Sequence, residues 1–342
     1  MSPMNTKKKI LFPYINMSTF IEKDLHILKR RYTVWPVRYQ NVKNVVDNFQ
    51  MIHKVDAIFC WFGSIRFLPL ILLGKILKKK IIVVSGGYDV ANVPELEYGN
   101  MCPKYKWGLP RILGIILFRM ADRILCVSES NYHQTLVDAK VPPNKTVIIK
   151  HGFSDIPETL RKRLHKNSKD MMAITVANID SCTIHIKGLL AVARLSKYLP
   201  DTLFLFIGKY EPEAIKILRK ESSEKAEFLG FLEHSKLHEF FLRAKIYLQL
   251  SLHESFGCSM AESMLFNCIP VVSDKYALPE VVGNAGFCVN PEDLKGISVV
   301  VDKILKGNIY PLENPRERIL KEFPIEKRAE KLLSVMKDIL KK

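Results

Sequence analysis

The seven cysteines form no Cys-x-x-Cys pair and no regular spacing, which excludes a disulfide framework and a zinc ribbon. Cys60, Cys102, Cys126, Cys182, Cys258, Cys268 and Cys288 stand mostly among apolar residues and read as reduced thiols. No apolar run approaches the roughly 18 residues needed to span a bilayer. The longest, FLPLILLG from Phe67 to Gly74, is closed by Lys75, and ILGIILF from Ile112 to Phe118 is also short. Both read as core helices, with a shallow interfacial role beside a basic surface as the alternative. The basic start, with Lys7, Lys8 and Lys9, is followed by no long apolar stretch, so no signal peptide is expected. No G-x-G-x-x-G follows the first strand, which counts against a dinucleotide dehydrogenase. No histidine or cysteine spacing suits a metal, and no short repeat or low-complexity tract interrupts the chain.

What is present is a 342-residue globular composition, 48% hydrophobic and 25% charged, enough for two domains. The net charge of +17 is unevenly spread. Residues 1–150 carry 23 Lys and Arg against 10 Asp and Glu, a net of +13; residues 151–342 carry 29 against 25, a net of +4. The first half therefore asks for an anionic partner: a membrane surface, a nucleic acid or a phosphorylated substrate. Only charge favours nucleic acid, and none is expected as a partner.

Apolar strands alternate with amphipathic helices along the chain. KKKILFPYI, VDAIFCWFG, KIIVVSGGYD, ILCVSES and KTVIIKHGF read as strands of a first parallel sheet, with YTVWPVRY as a further one. The polar stretch SDIPETLRKRLHKNSKD reads as a domain connection. The alternation then restarts with MMAITVAN, TLFLFIG, EFLGF, IYLQLSL, IPVVSD and AGFCVN, and ends on the helix PIEKRAEKLLSVMKDILKK. The expected fold class is α/β, two doubly wound Rossmann-like domains at residues 1–160 and 161–325. A C-terminal helix at 326–342 is expected to return toward the first domain. Two such sheets place their ligand crevices at the carboxyl ends of the strands, so ligands are expected in a cleft between the domains.

One stretch carries chemistry. SLHESFGCSMAESMLF, Ser251 to Phe266, follows an apolar strand and opens a helix. Glu254 lies in the loop, Phe256-Gly257 allow a close backbone approach, and the helix beginning near Cys258 points free N–H groups at an anion. Glu262 sits in the apolar run SMAESMLF, where a buried carboxylate is costly without partners. Against this, an isolated pair of acids at this spacing is usually a solvated loop residue and a helix-surface residue.

The pieces Glu254, Phe256-Gly257, Glu262, Pro270-Val271-Val272 and Pro279-Glu280-Val281-Val282 resemble the donor site of retaining glycosyltransferases of the GT-B fold, family 4. ADRILCVSES and GGYD resemble that family's first domain. The resemblance implies transfer of a sugar from a UDP- or GDP-linked donor to an acceptor hydroxyl on a glycan or lipid-linked acceptor. No bound metal or other cofactor is implied. Glu262 would hold the ribose hydroxyls, and Glu254 would contact the donor sugar. The amides of Phe256, Gly257 and Cys258 would bind sugar and phosphate; Gly208 would lie near the nucleotide and Phe231 near the base. Lys187, in HIKGLLAV, matches the family's cation for the leaving diphosphate, while Asn178 stands where the family usually has an arginine. His185 is a candidate to compensate for that arginine, and His253 is a candidate to reach the cleft.

Acceptor contacts are expected at the carboxyl edge of the first sheet. Gly86 and Gly87 allow a tight loop there, Tyr88 and Asp89 follow, and Trp61 ends the preceding strand. Asp89 would order a sugar hydroxyl or its own loop; Trp61 would stack on a sugar or cover the core. A lipid-linked acceptor suits the basic first half, with Lys7-Lys8-Lys9, Lys29-Arg30-Arg31 and Lys78-Lys79-Lys80 facing anionic lipid. The expected location is cytoplasmic and peripheral on the inner face of a membrane. The alternatives are a sugar-nucleotide epimerase of the same fold and a non-catalytic binding protein, the latter supported by Asn178.

Overall fold

The computed structural model describes residues 7–40, 49–102, 108–166 and 168–341. The packing divides into two units: residues up to 152 together with those from 325 onward, and Phe153–Pro324. The division falls after Gly152, where the sequence pattern placed it after 160. The stretch read as a domain connection holds a helix, Glu158–Lys166, of the second unit. Its polar face hid the pattern, but Leu164 is buried.

The first unit is built on six parallel strands: β1 (Lys9–Tyr14), β2 (Thr33–Arg38), β3 (Ala57–Trp61), β4 (Lys80–Ser85), β5 (Arg123–Cys126) and β6 (Thr146–Ile148). Their order is β2-β1-β3-β4-β5-β6, so the sheet reverses direction between β1 and β3. Every residue of β3 is buried, as covering both faces of a parallel sheet requires. Pro36 is tolerated because β2 is an edge strand. The helix Thr19–Lys29 on this sheet receives the C-terminal helix Ile325–Lys341. Their contact is centred on a buried ion pair. Arg328 donates from Nε and Nη2 to the two carboxylate oxygens of Asp24, both at 2.6 Å, and from Nη1 to the carbonyls of Ile149 and Lys150.

The runs read as core helices bury only part of their surface. In Leu68–Ile76 and Leu109–Met120, Leu72, Ile76, Leu109, Ile112 and Ile116 are exposed. One face of each helix covers the sheet, and the other carries apolar residues outward.

The second unit repeats the plan with β7 (Asp170–Val176), β8 (Leu203–Ile207), β9 (Ala226–Gly230), β10 (Ala244–Gln249), β11 (Ile269–Ser273) and β12 (Phe287–Val289). The order is β12-β11-β10-β7-β8-β9, all parallel. That is the Rossmann order, with its reversal between β7 and β10. Phe204, Phe206, Ile246, Leu248 and Val271 fill the core against helices Leu189–Ser196 and Leu294–Leu305. The latter helix was not evident in the sequence. Gly296 and three consecutive valines, Val299 to Val301, weaken its helical preference, and burial of Ile297, Val301 and Ile304 decides it.

Removing one partner of a buried, hydrogen-bonded ion pair strands the other's charge, at a cost of about 3–5 kcal/mol. Arg328→Met and Asp24→Asn are therefore expected to destabilise the first unit by about that amount in urea denaturation. The double variant Asp24→Leu, Arg328→Met should lose much less. Single variants within 1 kcal/mol of wild type would show that the pair does not anchor the C-terminal helix.

Candidate functional site

The reversal between β7 and β10 leaves a gap at their carboxyl ends, since their connections leave on opposite sides. A cavity of about 150 Å³ occupies it. Val176, Ala177 and Asn178 line it from β7; Gln249 and Glu254 line it from β10. Lys187 closes it through a close backbone approach. Gly188 has φ +63°, and a Cβ there would stand 1.9 Å from the Leu250 carbonyl oxygen. The Leu252 amide donates to the Ile186 carbonyl at 2.8 Å. Only glycine after Lys187 lets this turn press against the end of β10.

That contact sets Lys187 opposite Glu254. Lys187 Nζ donates to Glu254 Oε2 at 2.7 Å, and Gln249 Nε2 donates to the same oxygen at 2.7 Å. The Lys187 and Glu254 side chains retain 29% and 13% of their exposure. The pair is largely desolvated and still reachable from the cavity. Asn178 is exposed, and its carbonyl accepts from Thr183 Oγ1 at 2.7 Å. Gly208 abuts this segment: with φ +147°, a Cβ there would fall 1.8 Å from the Ala177 carbonyl oxygen. The Gly208 amide in turn donates to the Gly230 carbonyl at 2.9 Å. Phe231, the next residue, is exposed beneath Lys209 Nζ at 5.1 Å from its ring.

The acidic segment follows. Phe256 has its ring buried between Phe153 and Phe323, with centroids at 6.0 and 5.3 Å, so only its backbone is available to a ligand. Gly257 turns the chain at φ +90° into the helix Cys258–Met264. Tyr247 Oη donates to Ser259 Oγ at 2.7 Å, and burial raises its pKa, keeping the phenol protonated. Glu262 does not line the cavity. It pairs with His234 Nε2 at 3.3 Å, and His234 Nδ1 lies 3.0 Å from His238 Nε2. Burial, reinforced by His234, lowers the His238 pKa.

The structure thus gathers Lys187, Glu254 and Asn178 in one cavity with Gly208 beside it, and holds Glu262 to a histidine on the neighbouring helix. His185 is exposed and is not among the cavity's lining residues. Gln249, Ser259 and His234 were not anticipated. Gln249 had a readable signal: it is a buried amide inside the apolar strand IYLQLSL, which demands a partner. His234 had none, because its contact with Glu262 joins two helices far apart in sequence.

In the first unit the structure selects between the alternatives left open for two residues. Trp61 is buried, with its ring stacked on His151 at 5.8 Å and covered by the Arg328 guanidinium at 5.7 Å. It belongs to the core and has no face for a sugar. Asp89 is also buried, and its carboxylate accepts from the amides of Gly63 at 2.6 Å, Gly87 at 2.8 Å and Gly86 at 3.0 Å. It orders the loops after β3 and β4. Burial raises its pKa, with the amide bonds opposing. Tyr88 remains exposed, edge-on to Tyr98 at 5.0 Å.

Residues 157–323 match the family model of the glycosyl transferases group 1. Through this segment the chain is similar to the group 1 glycosyl transferases. It is 25% identical over 175 residues to the phosphatidylinositol N-acetylglucosaminyltransferase gpi3 subunit of Schizosaccharomyces pombe, covering 49% of this chain and 38% of that one. It is 27% identical over 212 residues to the serotype-specific mannosyltransferase WbdA of Escherichia coli, covering 56% of this chain and 26% of that one. The chain thus spans well under two thirds of the curated relatives it matches. The fold is that of Anabaena Alr3699/HepE, solved in complex with UDP and glucose. The TM-score is 0.74 at 15% identity, over 97% of this chain and all of that one. The matched segment contains every residue named above as lining the cavity, and Glu262 and His234 as well.

His253 reports on this site without charging it. It is buried against Tyr276, with ring centroids at 4.5 Å, and burial lowers its pKa to about 4. Between pH 6.5 and 4 the unfolded imidazole holds a proton that the folded one lacks, so stability falls as pH falls. The expected contribution is a loss of about 2 kcal/mol from pH 7.5 to 5.0. His253→Gln should remove that part of the slope in denaturation curves at the two pH values. A parallel slope in the variant would overturn the assignment.

Proposed function

We propose that the chain is a retaining, metal-independent glycosyltransferase that moves a sugar from a nucleotide-sugar donor to an acceptor hydroxyl. The observation that carries this reading is the Lys187–Glu254 pair, 2.7 Å apart in the cavity at the β7/β10 reversal. A paired cation and carboxylate beside the strand ends suit a ligand that is anionic at one end and rich in hydroxyls at the other. The donor diphosphate takes Glu254's place as the partner of Lys187, and Glu254 turns to the sugar hydroxyls. Glu262, held by His234, receives the ribose. The relatives' transfer of N-acetylglucosamine and mannose, and the UDP bound in HepE, support a UDP- or GDP-linked sugar.

In the transfer, the bond from the sugar's C1 to the diphosphate oxygen breaks. The acceptor oxygen bonds to C1 on the same face, and its proton passes to the departing phosphate oxygen. Lys187 stabilises the charge that develops on the diphosphate. Such a preorganised cation contributes about 10²–10³ in rate. Asn178, in the place of the family's usual arginine, adds a neutral donor to the same oxygens. On the acceptor side, Tyr88 and the Gly86-Gly87 turn are the contacts available at the carboxyl edge of the first sheet. The basic first half favours a lipid-linked acceptor at an anionic membrane surface.

Thermal unfolding in UDP-, GDP- and ADP-sugars tests the donor. A ligand at about 100 times its dissociation constant should add roughly 2.7 kcal/mol of stability, and Glu262→Ala should abolish most of that gain. A shift undiminished in Glu262→Ala would remove Glu262 from the site. With the responding donor, the first product seen by NMR should keep the donor's anomeric configuration. The rate should survive a metal chelator and fall about 10²–10³-fold in Lys187→Ala. An inverted product would overturn the retaining mechanism.

A further inference from the structure

The donor site leaves unused the exposed apolar face of the first unit. On the helix Leu109–Met120, Leu109, Ile112, Ile116 and Arg119 are exposed at spacings of three, four and three, which puts them on one face. Its other face is buried through Leu117 and Phe118. The neighbouring helix Leu68–Ile76 adds Leu72 and Ile76, the latter 75% exposed. Five apolar side chains on two touching helices exceed the scattered exposed leucine of an ordinary surface.

The charge on the two helices themselves has one sign. Residues 57–88 contain five Lys and Arg and no Asp or Glu, and residues 108–121 contain Arg111 and Arg119 and no acid. The nearby carboxylates have partners: Asp122 takes Lys75 Nζ and the Ile81 amide, and Asp138 takes the Asn92 amide. Where the stripe ends, Arg119 joins Lys140 and Lys145 around an open cavity of about 570 Å³, floored by Leu136, Val141 and Pro142. Lys145 Nζ donates to the Arg119 carbonyl at 2.8 Å, which ties the helix end to this cavity. Val137, next to Leu136 in the chain, is 72% exposed.

We propose that this face docks on an anionic lipid bilayer. Leu72, Ile76, Leu109, Ile112 and Ile116 enter the interface, and Arg119, Lys140 and Lys145 receive a lipid phosphate. The pairing of an apolar stripe with a cationic rim selects this partner. A second copy would set like charges against each other. A nucleic acid would answer the cations and leave the stripe unanswered. A bilayer surface answers both. This places the membrane contact on these two helices and the cavity at 119–145, and it stands or falls apart from the donor-site reading.

Flotation of the full chain with vesicles of phosphatidylcholine, alone or with one third phosphatidylglycerol, tests it. Binding is expected on the anionic vesicles only. Leu109→Glu, at a 57% exposed position, and Ile112→Glu with Ile116→Glu should each abolish binding while thermal unfolding is unchanged. Lys140→Gln with Lys145→Gln should weaken it roughly 25-fold, about fivefold per cation. Anionic-vesicle binding unaffected by Leu109→Glu would overturn the apolar contact. Equal binding to neutral vesicles would overturn the cationic one, and a concentration-dependent dimer lost in Leu109→Glu would give the face to a second copy. Nucleotide-sugar thermal shifts on the same variants should match wild type, so a failed donor reading and a failed docking face are told apart.

Discussion

A parallel sheet whose strand order reverses must leave a gap at the carboxyl ends of the two strands flanking the reversal, because the connections on either side depart to opposite faces. In the second unit those strands are β7 and β10. Everything proposed for the site depends on that gap. It is lined by backbone from two strand ends and by side chains that no core packing would choose. Gly188 and Gly208 are required by it: each brings one segment against the carbonyl edge of another where a side chain has no room. Lys187 reaches Glu254 only because Gly188 permits that approach.

The Lys187–Glu254 pair shows how an empty polar site keeps its charges. Each group satisfies the other, with Gln249 as a second donor. Neither charge is left bare, although both side chains are largely withdrawn from solvent. The same logic, buried more deeply, serves a different end in the first unit. Arg328 and Asp24 are closed to solvent and anchor the C-terminal helix. Exposure separates the two roles: an ion pair that a ligand can enter is a site, and one that nothing can enter is a fastening.

The first unit carries the charge excess, and the fold gives that excess a place. Arg119, Lys140 and Lys145 meet around one cavity at the end of the helix Leu109–Met120, which carries exposed apolar side chains. Trp61 and Asp89 go the other way. Both looked like binding residues because they end or follow strands at the functional edge. Both are consumed by the structure, Trp61 by its ring partners and Asp89 by three loop amides.

Alternation of apolar strands and amphipathic helices was enough to read two doubly wound units. Burial on both sheet faces writes itself into local composition. The segment from Glu254 to Glu262 was equally legible, since a turn glycine between two acids after a strand is a local pattern. Helix Leu294–Leu305 was not legible, because its valines and Gly296 argue against a helix until burial is counted. Nor were the partners of each acid. Lys187 lies 67 residues before Glu254, and His234 meets Glu262 from another helix. Such contacts depend on how strands are ordered in the sheet, and strand order is a property of the folded chain that no local stretch of sequence encodes.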